Sequence, residues 1–170
     1  AQGQAEFRQV AAMLRKQLSA SPVTDCFLEL AEPDITVGVD ALVDAGVREI
    51  VAAPLLLFAA GHPKRDIPQA IAEAAGRHDG VRWSMADALG DHPTVLKLAA
   101  QRFAEARRFA EARRGTAEWE PATLVIVSRG SSDPAAIANV HAFVDSHCAQ
   151  LDGVAARQVG FLAAATPTLD

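Results

Sequence analysis

The chain has 170 residues, half of them apolar, and its 21 acidic residues outnumber the 16 basic ones to give a net charge of −5. This composition supports a packed core and excludes an intrinsically disordered chain, while the acidic balance argues against nucleic acid as the main partner. The longest apolar run, residues 50–61, is interrupted by Pro54 and is too short to span a bilayer.

Two further features concern the cellular compartment. The first six residues contain no basic segment followed by an apolar one, so we expect no signal peptide. Cys26 and Cys148 lie far apart in apolar surroundings without CxxC spacing, which predicts two reduced, buried thiols. Both features favour a cytoplasmic protein with no membrane association.

The spacing of apolar residues predicts strands that alternate with helices. Helices are expected over 5–18, from 35 to a closing glycine at 46, and over 67–76, 93–114 and 135–151; strands are expected over 23–30, 49–58, 81–89, 123–127 and 155–162. The run 49–58 lacks polar alternation, which is typical of a parallel strand buried on both faces. Pro68 can begin the third helix, with Asp66 as its N-cap. This order predicts an α/β fold with a doubly wound parallel sheet.

An internal repeat suggests two copies of one α/β unit. Phe27-Leu-Glu-Leu-Ala-Glu-Pro33 is echoed by Phe161-Leu-Ala-Ala-Ala-Thr-Pro167. We therefore predict domains over 1–115 and 116–170. The loop 128–134 of the second copy has its counterpart before residue 1, so both units are expected to be incomplete in this chain.

One loop concentrates the residues that could carry chemistry. His62 follows an apolar run and a glycine, and imidazole is a common ligand for divalent Co, Fe, Ni and Zn; a capping or packing role is the alternative. Lys64 and Arg65 could hold carboxylates or form a solvated rim. Glu29 ends another predicted strand and could accept protons beside a metal, or could simply be solvated.

Two other segments are weaker candidates. His92 follows the third predicted strand and could face the same cleft. Ser128-Arg-Gly-Ser-Ser-Asp-Pro134 is a glycine-containing loop that opens a helix, a place where anions bind. The chain has no HExxH, CxxC or GxGxxG motif, which argues against a closed structural metal site and against dinucleotide binding.

Four segments, in this order, resemble the sirohydrochlorin chelatases. They are the 27–33 segment, the segment Pro54-Leu-Leu-Leu-Phe-Ala-Ala-Gly-His-Pro-Lys-Arg-Asp-Ile-Pro68, Leu89-Gly-Asp-His-Pro93 and the 128–134 loop. The resemblance implies two chelatase-like doubly wound units that face a cleft. It also implies that Co²⁺ or Fe²⁺ is inserted into sirohydrochlorin, an eight-carboxylate tetrapyrrole, with no cofactor beyond the substrate metal.

The resemblance also assigns roles to residues. It makes His62 the metal-binding and catalytic histidine and Glu29 the group that assists proton removal. The family's second histidine, in a Gly-His-Gly-Ser loop, has no counterpart in the first copy. In the second copy Arg129 stands at that position, and Ala163 stands at the glutamate position.

The leading hypothesis is therefore a sirohydrochlorin cobaltochelatase whose partners are the tetrapyrrole and a divalent metal ion. Lys64, Arg65 and His92 would contact the substrate carboxylates, and a monomer is favoured over a dimer. A ferrochelatase is the first alternative, because one imidazole and one carboxylate do not separate Fe²⁺ from Co²⁺. A non-catalytic metal or tetrapyrrole carrier is the second, and a small-molecule-binding α/β module with a structural His62 is the third.

Overall fold

The computed structural model describes residues 2–58, 62–90, 92–114 and 122–169. The elements in chain order are α1 (Gln2–Gln17), α2 (Ile35–Asp44), β1 (Glu49–Ala52), α3 (His62–Ala75), β2 (Arg82–Met85), α4 (Pro93–Arg114), β3 (Ala122–Ser128), α5 (Pro134–Cys148) and β4 (Val154–Phe161). They form two compact units: the first unit comprises Ala1–Leu55 and His62–Ala88, and the second comprises Leu56–Gly61 and Leu89–Asp170. The predicted domain boundary at 115 lies outside the described residues and stays a prediction.

The core of the first unit lies between one face of a two-stranded parallel sheet and helices α2 and α3. β1 pairs with β2 in a register that sets Ile50 opposite Trp83. The residues of this core are Ile35, Val39, Val43, Ile50, Ile71 and Ala74. The i, i+4 spacing of the three α2 residues places them on one stripe of the helix, which explains why this segment folds against the sheet.

The ends of α2 follow from its sequence. The Asp34 carboxylate accepts a hydrogen bond from the Val37 N–H at 2.8 Å and so caps the first turn. Gly46 follows the helix with a φ of 86°, a left-handed conformation in which glycine meets no steric penalty. The prediction of a helix from Ile35 to Gly46 is confirmed.

Three strand predictions are wrong in extent. The 23–30 segment is not a strand: among the described residues its only ladder contact is an isolated bridge between Phe27 and Asp34. β1 and β2 have four residues each instead of about ten, and β1 is buried on one face only, with Val51 67% exposed. A strand extends only as far as a neighbour accepts its hydrogen bonds, and apolar residues alone do not supply that neighbour.

Helix α3 begins five residues earlier than predicted. Pro68 lies inside the helix and does not start it, so its cost is the loss of one backbone hydrogen bond near the N-terminal end. Asp66 is therefore a helical residue and not the predicted N-cap. Its carboxylate oxygen lies 3.4 Å from Nε of Arg65.

The second unit contains a longer parallel pair. β3 and β4 run side by side from the Ala122 and Val154 ends to Ser128 and Phe161. Helix α5 packs on this sheet through Val140 and Val144, against Phe161, which is fully buried. The parallel pairing in both units confirms the α/β class that the sequence predicts.

Helix α4 belongs to the second unit and confirms the predicted helix over 93–114. The helix contains the sequence Arg-Phe-Ala-Glu-Ala-Arg twice in tandem, at 102–107 and 108–113. Arg102 forms an exposed ion pair with Glu105, and Arg107 forms a half-buried one with Glu111. Phe109 is 65% exposed. None of the helices in the described ranges is both long and apolar enough to cross a membrane.

The predicted repeat is visible in the backbone of two turns, which we call the first turn (27–34) and the second turn (161–168). The Phe27 N–H donates to the Pro33 carbonyl at 2.8 Å, and the Phe161 N–H donates to the Pro167 carbonyl at 2.9 Å. Each turn closes with an isolated parallel bridge, to Asp34 in the first and Thr168 in the second. The two turns thus share one backbone arrangement in spite of different side chains.

Candidate active site

The first turn carries Glu29 on a backbone that is fixed at several points. Besides the bond between Phe27 and Pro33, Nη2 of Arg8 donates to the Glu32 carbonyl at 3.0 Å. The ring of Phe7 packs at 5.0 Å from the ring of Phe27, which ties helix α1 to the turn. Glu29 itself is exposed, and within the described ranges its carboxylate forms no ion pair. Its oxygens are therefore open to solvent and to an incoming ligand.

The start of α3 brings three candidate residues together. His62 is the first residue of the helix, and its side chain lies outside the described residues. Lys64 and Arg65 are both exposed, Arg65 with 77% of its side chain accessible. Both cations lie in the first turn of the helix, where free backbone N–H groups add positive potential. The sequence predicted a loop here, whereas the structure places the cations on a helical backbone.

His92 has a structural role that the sequence analysis missed. Its Nδ1 accepts a hydrogen bond from the Thr94 N–H at 3.2 Å, and its carbonyl accepts from the Val95 N–H at 2.8 Å. The residue therefore caps helix α4, which Pro93 begins. With Nδ1 as acceptor, the proton of the neutral ring lies on Nε2. The exposed ring of His92 then offers a hydrogen-bond donor, which suits a carboxylate better than a metal ion.

No group of three or more His, Cys, Asp or Glu side chains gathers around a common point in the described ranges. Lys64 and Arg65 lie next to each other in the first turn of α3. Glu29 lies on the first turn of the same unit, and His92 belongs to the second unit. The joint role of these residues with His62 stays a prediction.

The 128–134 loop borders a small cavity in the second unit. This cavity of about 150 Å³ is lined by the loop residues Ser128, Gly130 and Ser131 and by Phe58, Ala136, Ile137 and Val140. Gly130 has a φ of 89°, and a β-carbon at this position would lie 1.8 Å from the Ala163 carbonyl oxygen. The sequence indicated the loop through its glycine, but it did not reveal the apolar wall, because Phe58 is remote in the chain.

A cluster of charged residues in the first unit also escaped sequence analysis. Nε2 of His78 lies 2.7 Å from Oδ1 of Asp40, and Nη2 of Arg77 lies 2.7 Å from the same oxygen. The hydrogen bond from His78, together with the Arg77 guanidinium, holds the pKa of the Asp40 carboxyl below its usual range. The cluster ties α2 to the residues that follow α3. Arg77 is unsuitable as a metal ligand, so we assign the cluster a structural role.

Comparison with known proteins gives consistent relatives. The model of the CbiX family matches residues 1–106. A sirohydrochlorin ferrochelatase from Bacillus subtilis (strain 168) is 38% identical over 108 residues, which are 64% of this chain and 38% of that protein. A sirohydrochlorin cobaltochelatase from Priestia megaterium is 30% identical over 119 residues, which are 70% of this chain and 37% of that protein.

Solved structures agree with these relatives. SirB from Bacillus subtilis with Fe³⁺ superposes with a TM-score of 0.80 at 31% identity, covering 98% of this chain and 62% of that chain. A sirohydrochlorin chelatase SirB in complex with cobalt, from Bacillus subtilis subspecies spizizenii, superposes with a TM-score of 0.68 at 29% identity, covering 90% and 59%. The chain spans less than two fifths of the length of the two curated relatives above. Because the family model covers more than half of its residues, the chain belongs to the CbiX family.

Proposed function

We propose that the protein is a sirohydrochlorin chelatase that inserts a divalent metal ion into the tetrapyrrole. The observation that carries the proposal is the exposed Glu29 carboxylate on the first turn, which a backbone hydrogen bond closes. The relatives of the chain are named for this reaction. Co²⁺ is the proposed metal and Fe²⁺ the alternative, since relatives of both kinds match. The support for the activity is the same for either ion.

The reaction explains which groups are needed. Metal insertion replaces two pyrrole N–H protons with one dication, so the macrocycle gains the metal and releases two protons. The oxidation state of the metal does not change, and no redox cofactor is required. A base must therefore accept each proton and pass it to solvent, and a solvent-exposed carboxylate can do both.

Each candidate residue has a separate part in this proposal. His62 holds the metal through its imidazole with incomplete, labile coordination, so that the ion can be released into the ring. Glu29 accepts the pyrrole protons. Lys64, Arg65 and the Nε2–H of His92 bind carboxylates at the rim of the tetrapyrrole, Arg65 through two parallel hydrogen bonds.

Absorbance spectroscopy of sirohydrochlorin with Co²⁺ or Fe²⁺ tests the proposal. The 170-residue chain is expected to accelerate the spectral change of metal insertion above the rate in buffer. Replacing Glu29 by Gln should lower that rate by about 100-fold, the usual contribution of a positioned base, and His62→Ala should lower it at least as much. Glu32→Gln is the matched control, because Glu32 is an exposed carboxylate on the same turn.

Three results would contradict parts of this assignment. If the chain binds sirohydrochlorin but does not accelerate insertion, it is a carrier. If Glu29→Gln and His62→Ala keep the full rate, the roles assigned to these residues are wrong. If the tetrapyrrole spectrum does not respond to the chain at all, the proposed function is wrong.

A further inference from the structure

Leu30 combines two unusual properties at the tip of the first turn. The residue is 93% exposed, the highest value among the large apolar residues that are exposed in the described ranges. Its φ is 62°, in the left-handed region that residues other than glycine rarely adopt. A single exposed leucine is common on protein surfaces. A leucine that is both exposed and held in an unfavourable backbone conformation is not.

The exposure of Leu30 is fixed by the backbone and is not a consequence of a loose loop. The turn is closed by the bond from Phe27 to Pro33, at 2.8 Å. Arg8 donates a hydrogen bond to the carbonyl of Glu32, and the Asp34 side chain caps α2. Both ends of the turn are therefore held by hydrogen bonds, in the conformation that exposes Leu30.

The second turn shows that folding does not require this leucine. Ala164 takes the corresponding place with a φ of 58°, and the closing hydrogen bond from Phe161 to Pro167 is the same. Ala163 likewise takes the place of Glu29. The same backbone is therefore made with alanine at both positions. The glutamate and the leucine of the first turn are together an addition to a turn that forms without them.

We propose that Leu30 is a substrate-contact residue, whose side chain lies against the apolar face of the tetrapyrrole and keeps the pyrrole nitrogens within reach of Glu29. This inference rests on the proposed function. A flat macrocycle presents an apolar face inside a rim of carboxylates, and an exposed branched aliphatic side chain matches that face. The adjacent carboxylate of Glu29 can accept the pyrrole protons that metal insertion releases.

Glycine substitution at Leu30 tests the proposal, because it separates binding from stability. Leu30→Gly removes the side chain and at the same time relieves the left-handed strain. We expect the dissociation constant for metal-free sirohydrochlorin to rise by about tenfold, the effect of losing one aliphatic contact. The thermal unfolding midpoint should not fall. A residue with a purely structural role would lower both binding and stability.

The chain provides its own control at the matching position. Ala164→Gly makes the same backbone change in the second turn and should leave sirohydrochlorin binding unchanged. Leu30→Met keeps an apolar side chain of similar volume and should hold the affinity within about twofold of the unaltered chain. The readout is the change in sirohydrochlorin absorbance on titration with each variant of the full chain.

Equal affinity of Leu30→Gly and the unaltered chain would overturn the inference and leave the proposed function standing. A loss of affinity in Ala164→Gly as large as in Leu30→Gly would also overturn it, because the effect would then come from the backbone. Failure of the proposed function looks different: the unaltered chain then does not bind sirohydrochlorin, and the role of Leu30 falls with it.

Discussion

His147 is a buried titratable residue in the last turn of α5. Only 7% of it is exposed, its ring stacks on Phe143 at a centroid distance of 6.0 Å, and no hydrogen-bond partner for Nδ1 is present among the described residues. Burial lowers the pKa of this imidazole below its ordinary value of 6.5. The folded chain therefore takes up a proton at this residue less readily than the unfolded chain.

This difference predicts how stability depends on pH. As the pH falls from about 7 to about 5, the unfolded chain binds the proton first, so the free energy of unfolding must decrease, by at most about 1.4 kcal/mol per pH unit for one group. His147→Leu replaces the imidazole with an apolar side chain that does not titrate, and it should reduce that slope. Urea unfolding over the same pH range measures it. An unchanged slope in the variant would show that other groups cause the pH dependence.

The helices were largely predictable at the level of single elements, and the strands were not. α4 begins at Pro93 as predicted, because proline suits the first helical position. The start of α3 was missed, because the penalty of Pro68 is small so close to the helix end. β1 ends at Ala52 although the sequence remains apolar, because the length of a strand depends on a partner that local sequence does not specify. The sequence left open whether Glu29 is solvated, and the structure shows it exposed; the capping role of His92 had no indication in the sequence.

Gly130 provides a prediction about the loop between β3 and α5. Gly130→Ala should lower the free energy of unfolding by about 3 kcal/mol, because the new β-carbon would lie 1.8 Å from the Ala163 carbonyl oxygen. Gly46→Ala is the control for backbone conformation, since Gly46 has a similar φ of 86° and no atom within 4 Å of the added carbon. It should cost only about 1 kcal/mol. Equal losses in denaturant unfolding would show that the close approach to Ala163 is not important.

The molecule as a whole consists of two units, each with its own core and its own cysteine. Cys26 packs against the first core, and Cys148 against the second. Burial is the main cause that raises the pKa of both thiols. The sequence predicted both cysteines to be reduced and buried. The structure leaves both of them free and half-buried.

Thiol labelling can therefore follow each unit separately. The chain with Cys148→Ser reports on the first unit through Cys26, and the chain with Cys26→Ser reports on the second. In each variant we expect labelling of the folded protein to be at least about tenfold slower than labelling in urea, because burial and a raised pKa both suppress the reactive thiolate. Equal labelling rates with and without urea would contradict the half-buried placement of that cysteine.

The matching backbones of the first turn and the second turn have a consequence for how the sequences of the two copies can change in evolution. The contact that closes each bend runs from one main-chain amide to one main-chain carbonyl, so it makes no demand on the side chains at the apex. Substitutions at the apex therefore leave the closing hydrogen bond in place. One copy of the turn can keep Glu29 and Leu30 while the other has alanine at both positions, and both copies keep the same backbone conformation.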